Sequence, residues 1–119
     1  MQINDTELPI IDWANVLQSV QGDQKLLRMM VEAALEEIPT LIPAMHNAIA
    51  RQDAMALRLN AHTLKSSLSY FTQGAAYQKA CELEMIGHEK RLADAESALA
   101  ILESDIGPVV QAMQSYLQV

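Results

Sequence analysis

Two amphipathic segments joined by a short turn decide the fold of this chain. Residues 53–88 read DAMALRLNAHTLKSSLSYFTQGAAYQKACELEMIGH. On a helical wheel with 100° between successive residues, the apolar residues of the first segment form one stripe. This pattern predicts a helix with a core face. The members of that stripe are Leu57, Ala61, Leu64, Leu68 and Phe71. The second segment has an inward stripe of Ala76, Ala80, Leu83 and Gly87. Gly74 marks the turn, so the pattern predicts two antiparallel helices.

Further helices are predicted on both sides of this hairpin. Asp12 and Asp23 are N-cap residues of two helices that precede it. Pro39 is expected to break or kink the second of these helices. The predicted segments outside the hairpin are about 12–18, 23–39, 41–52 and 94–117, the last of them bent at Gly107-Pro108.

The composition supports an all-α fold over the whole chain. Seventeen Ala and fifteen Leu far exceed six Val and four Thr, and only four Gly and four Pro interrupt the 119 residues. Helix formers therefore outnumber strand formers. The prediction is one domain over residues 1–119, an antiparallel four-helix bundle with short N-terminal helical pieces. A domain of this length needs no metal or disulfide to fold.

Charge and hydropathy exclude several classes of protein. The net charge of −7 argues against a nucleic-acid partner, which would require a basic face. Residues 53–91 carry five bases and four acids, so only this middle segment is slightly positive. The longest apolar run is five residues, far short of the roughly 20 that span a bilayer. The first nine residues lack the basic start and apolar stretch of a secretory signal, and the single Cys81 fits a reducing compartment, so a cytoplasmic protein without direct membrane contact is expected.

One histidine is predicted to point away from the core. His62 lies about 140° from the apolar stripe of its helix, on the same side as several polar residues and three exposed apolar ones. The polar neighbours are Arg58, Lys65, Ser66 and Ser69, and the apolar ones are Met55, Leu59 and Tyr70. Lys65 lies one turn from His62, where a cation could hold a phosphoryl group on the ring. Exposed apolar side chains around a reachable nucleophile indicate a docking face.

A carboxylate is predicted at the same height on the neighbouring helix. If the turn centres near Gln73, then His62 precedes it by eleven residues and Glu84 follows it by eleven. Glu84 could accept a hydrogen bond from Nδ1–H of His62 and leave Nε2 free to attack. His46 and His88 have no ligand spacing with His62 or Cys81, so no metal site is predicted.

These residues resemble a known family. The run Ala61-His62-Thr63-Leu64-Lys65-Ser66-Ser67, followed by Ala80-Cys81-Glu82-Leu83-Glu84, is similar to the histidine-containing phosphotransfer (HPt) domain of bacterial phosphorelays. Comparable residues occur upstream at Ile11-Asp12-Trp13, Gly22-Asp23, Leu26-Leu27, Glu37-Ile38-Pro39 and Asp53, so the resemblance covers about residues 10–117.

The resemblance implies a function. His62 would be the phosphorylated residue, Lys65 the adjacent cation and Glu84 the group beside the imidazole. The domain would carry a phosphoryl group between receiver domains of response regulators, with magnesium on the receiver and no cofactor or kinase activity of its own. It would be a C-terminal fragment of a hybrid sensor histidine kinase or a free-standing shuttle.

The sequence departs from the family pattern at two positions. Ser66 follows the lysine where the family usually has glycine, and Thr72 occupies the place of a second frequent glycine. Both positions leave an alternative open, in which the chain is a helical interaction module that binds a partner without phosphotransfer.

Overall fold

Five α-helices form the part of the chain that the computed structural model describes, residues 9–118. They are α1 (Trp13–Ser19), α2 (Gln24–Ala50), α3 (Ala54–Ser69), α4 (Ala75–His88) and α5 (Ala95–Leu117), with one 3-10 turn at Leu92–Asp94. No strand occurs between residues 9 and 118. The predicted all-α class is confirmed, and the four long helices are α2 to α5.

The four long helices pack in chain order around one core. The neighbouring pairs are α2 with α3, α3 with α4, α4 with α5, and α5 with α2, so α3 and α5 lie on a diagonal. The short α1 covers one end of the bundle. Its Trp13 ring makes edge contacts with Phe71 just after α3, at 6.2 Å between ring centroids, and with Tyr116 near the end of α5, at 4.3 Å.

Three of the helices begin at an aspartate, as the sequence predicts. Asp12, Asp23 and Asp53 each accept a hydrogen bond from the backbone N–H three residues later, at 3.2, 2.9 and 3.0 Å. Such caps satisfy amide groups that have no partner inside the helix.

The separate helices expected on either side of Pro39 are a single helix. α2 runs for 27 residues through Pro39 and Pro43. Each proline removes one backbone hydrogen bond, yet both are exposed, and the buried positions keep helical register across them at Ile38, Leu41 and Met45. Burial of this apolar face offsets the bonds that the prolines lose. α5 likewise continues through Pro108.

The buried core consists of apolar residues. Both stripes predicted for the hairpin are buried throughout, and no polar or charged residue between positions 9 and 118 is buried. Ile86 joins the inward face of α4 as well. The polar residues of the hairpin are therefore left at its surface, where His62 lies.

Helices α3 and α4 approach each other closely at Gly87. A Cβ atom on this residue would lie 2.8 Å from the backbone N of Arg58 and 2.9 Å from the carbonyl O of Ala54. Only glycine allows the two backbones to be this close. The contact fixes the spacing of the two helices one turn away from Glu84.

Candidate functional site

His62 lies on the outward face of α3, opposite the core. Its side chain is 55% exposed, as the helical wheel predicts. The helix that holds it is anchored by buried Ala61 and Leu64 on either side in sequence. An imidazole on a rigid helix is thus accessible to another molecule without movement of the backbone.

Glu84 projects from α4 and contacts the imidazole. Its Oε2 lies 2.8 Å from Nδ1 of His62, so the two groups meet as the spacing around the turn predicts. An ionised carboxylate can only accept, so Nδ1–H donates and the neutral ring has its lone pair on Nε2. Within residues 9–118, no side chain bonds to Nε2. The remaining nitrogen is therefore the nucleophilic one.

Lys65 contacts the other oxygen of the same carboxylate. Its Nζ lies 2.5 Å from Oε1 of Glu84, and both side chains are mostly covered, with exposed fractions of 28% and 22%. Helical spacing predicts Lys65 beside the imidazole but does not predict this ion pair. Glu84 thus joins His62 and Lys65 into one network between α3 and α4.

The network alters the pKa of two of its members. Burial raises the pKa of Glu84, but hydrogen bonds from Lys65 and His62, together with their charges, outweigh burial and place the pKa below its ordinary value. The hydrogen bond to Glu84 raises the pKa of Lys65 above its ordinary value, although partial desolvation opposes it. Glu84 therefore stays ionised and Lys65 stays protonated across the physiological range.

The apolar residues predicted for a docking face are exposed on α3 and at its end. Met55, Leu59 and Tyr70 are 59%, 57% and 62% exposed. Their role in docking stays a prediction. Exposed apolar side chains of this size around a reactive group are typical of a surface that binds another protein.

The serines near His62 differ in what their hydroxyls do. Ser69 Oγ donates to the backbone carbonyl of Ser66 at 2.7 Å, so this hydroxyl is used within the helix. Ser66 is exposed, and its own hydroxyl makes no hydrogen bond to the part of the chain described here. Thr72 Oγ1 accepts from the backbone N–H of Gly74 at 3.1 Å, which stabilises the turn before α4. Ser66 is thus the serine available to an incoming group.

A shallow depression of about 300 Å³ adjoins the network. It lies between α3 and α4 and is lined by Arg58, Lys65, Cys81, Glu84, Met85 and His88. Three of these residues, Arg58, Lys65 and Glu84, were predicted for the site from the sequence, whereas the other three, all on α4, were not. The helical spacing of Cys81, Glu84 and His88, at intervals of three and four residues, could have indicated that they share one face.

A second histidine also contacts a carboxylate. His46 Nε2 of α2 lies 2.6 Å from Oε1 of Glu103 on α5. In this pair the carboxylate binds Nε2, whereas in the His62 pair it binds Nδ1. Across residues 9–118, no three His, Cys, Asp or Glu side chains are grouped so as to hold a metal ion.

Comparison with known proteins identifies the family. A model of the Hpt domain matches residues 29–117.

The chain belongs to the Hpt domain family.

Its membership makes it a histidine-containing phosphotransfer domain of two-component signalling, a class that interacts with receiver domains. The match spans α3 and α4 completely, and with them His62, Lys65 and Glu84.

A solved structure shows the same fold. The histidine-containing phosphotransfer protein B (HptB) from Pseudomonas aeruginosa PAO1 superposes with a TM-score of 0.82 at 22% sequence identity. The match covers 92% of this chain and 96% of that one. No curated protein sequence is similar enough to count as a relative. Among the described helices of this Hpt domain, none is long and apolar enough to cross a membrane.

Proposed function

We propose that this Hpt domain accepts a phosphoryl group on Nε2 of His62 from the aspartyl phosphate of one receiver domain and passes it to the aspartate of another. The contact between Glu84 and Nδ1 of His62 carries this proposal. It assigns the proton to Nδ1 and leaves the lone pair on Nε2 of a ring that is more than half exposed.

The transfer needs no base to remove a proton. The Nε2 lone pair attacks phosphorus, the N–P bond forms, and the P–O bond to the aspartate breaks as the carboxylate leaves. The proton on Nδ1 stays in place, so the ring gains positive charge as the bond forms. The Glu84 carboxylate, 2.8 Å away, stabilises that charge. The same steps in reverse return the group to an aspartate.

Lys65 is the cation that meets the phosphoryl group. It is bound to Glu84 before transfer, and rotation of its flexible side chain lets it contact phosphoryl oxygens while the carboxylate remains with His62. Catalysis by the domain is then mainly positional. The receiver supplies magnesium, and no phosphate-binding glycine loop in this sequence provides for ATP.

Its expected setting is the cytoplasm, either as the C-terminal part of a hybrid sensor histidine kinase or as a separate shuttle. In both settings the domain transfers the group and does not create it, because a kinase upstream must first phosphorylate the donor receiver.

Incubation with a phosphorylated receiver domain tests the proposal. We expect label on the wild-type chain that is labile in acid and stable in base, as a phosphohistidine is, and no label on His62→Gln. A receiver that binds the wild-type chain without transferring label would instead support the alternative of an interaction module.

A further inference from the structure

The depression beside His62 contains an arginine that the transfer chemistry does not use. Arg58 lies one helical turn before His62 on α3, and its half-buried side chain forms part of the depression together with Met85 and His88 of α4. The reactive network occupies only Lys65 and Glu84 of the lining. The rest of the depression is open to a group from another molecule.

Arg58 differs from the other arginines in having no acidic partner. Arg28, Arg51 and Arg91 each lie within 4.0 Å of a carboxylate, whereas no carboxylate from positions 9 to 118 lies within that distance of Arg58. A guanidinium that is partly removed from water gains strongly from a carboxylate, which it can bind through two parallel hydrogen bonds. In a chain of net charge −7, an unpaired arginine beside the reactive residue is an available site for an acid.

The backbone under Arg58 is held firmly. The absent side chain of Gly87 lets α4 pack directly on the backbone N and Cα of Arg58. The guanidinium therefore starts from a fixed point and loses less conformational freedom on binding than it would in a loop.

We infer that Arg58 is a specificity residue of the receiver interface, which binds a carboxylate on the docking surface of the receiver while the phosphoryl group is transferred at His62. The inference rests on the proposed function. It divides the interface into an apolar part, formed by Met55, Leu59 and Tyr70, and a charged part in the depression. The charged part would select receivers that have a carboxylate on their docking surface.

Receiver binding and His62 labelling are measured separately to test this inference. A receiver domain is chosen from a panel by its binding to the wild-type chain, and its Kd is measured by calorimetry for wild type, Arg58→Gln, Arg58→Lys and Arg28→Gln. Phosphoramidate, a small donor that needs no docking surface, then reports the reactivity of His62. Arg28→Gln is the matched control because Arg28 contacts Glu32 and the carbonyl of Leu117, away from the depression.

Arg58→Gln should raise the Kd about tenfold, with Arg58→Lys recovering only part of the loss, since one point charge replaces two directed bonds. The Kd of Arg58→Gln should also depend less on salt. Labelling by phosphoramidate should stay within about twofold of wild type.

An unchanged Kd would overturn the inference. Slower phosphoramidate labelling or a shorter phosphohistidine lifetime at unchanged Kd would overturn it as well, because Arg58 would then act on the phosphoryl group. If the wild-type chain binds the receiver but takes no label, the proposed function fails and the Kd values still decide the role of Arg58.

Discussion

At the scale of single residues, one carboxylate joins the side chains of the proposed site. Glu84 uses one oxygen for Nδ1 of His62 and the other for Nζ of Lys65. A glutamine here could accept through one oxygen only and would direct its NH2 group toward one of two donors. Glu84 therefore holds His62 in one tautomer and holds Lys65 in position at the same time.

Replacement of His62 by Gln should abolish phosphoryl acceptance and leave the fold unchanged. The side chain is more than half exposed, so its loss should change the free energy of unfolding by about 0.5 kcal/mol or less. Labelling by a phosphorylated receiver and circular dichroism measure the two effects. The matched variant His46→Gln should label like wild type, and label remaining on His62→Gln would show a different acceptor.

Replacement of Glu84 by Gln should remove a contribution to stability that depends on pH. Because the Glu84 pKa is lowered in the folded chain, its ion pair and hydrogen bond stabilise the fold above the ordinary pKa of 4.5, and this is lost as the pH falls through the lower folded value. At neutral pH we expect the free energy of unfolding of the wild type to exceed that of Glu84→Gln by about 1 kcal/mol. Urea unfolding from neutral pH to about pH 3 should show this difference shrinking; a constant difference would contradict the assignment.

The sequence predicted the residues of the site better than their contacts. The equal distances of His62 and Glu84 from the turn predicted their meeting, because antiparallel helices convert equal spacing into equal height. The pairing of Lys65 with Glu84 was missed. A lysine has four rotatable bonds and reaches acceptors on two helices, so a helical wheel indicates its side of the helix and not its partner.

At the scale of helices, the contact at Gly87 sets the distance between the two halves of the site. Gly87→Ala should push α4 away from the backbone of Arg58, since the new Cβ would lie 2.8 Å from its N. We expect a loss of about 1–3 kcal/mol in the free energy of unfolding and slower labelling of His62. Chemical unfolding and receiver transfer measure both effects.

Gly107→Ala is the matched control for that variant. Gly107 lies inside α5, and an added Cβ would have nothing within 4 Å. Alanine should therefore stabilise the chain by about 0.5–1 kcal/mol through helix propensity alone. Equal effects of the two substitutions would show that the close approach at Gly87 has no special importance.

The predicted helix boundaries were correct at the capping residues and wrong at one proline. Asp12 and Asp23 correctly placed helix starts because caps act over three residues. The turn at Gly74 correctly placed the start of α4. Pro39 was wrong as a boundary, because its cost is local while the buried face of α2 extends from Leu27 to Ala48. Packing of this kind depends on the other helices and is not visible in a local motif.

At the scale of the whole molecule, the proposed site and docking face lie on one side of an acidic bundle. Leu59→Asp should weaken receiver binding about tenfold or more and leave the fold intact, because Leu59 is exposed at the centre of the predicted docking face. Ile101→Asp is the control: Ile101 is similarly exposed but belongs to α5, diagonal to α3. Calorimetry that finds equal Kd values for both variants would place the interface elsewhere.

The short turn between α3 and α4 has a consequence for how the domain assembles. His62 and Glu84 are 22 residues apart in the chain, and the hairpin that joins them runs only from Ala54 to His88. Closing so short a segment loses little chain entropy, and contacts local in sequence form early and fast. His62 and Glu84 can thus come together in a single folding event that does not wait for α2 or α5.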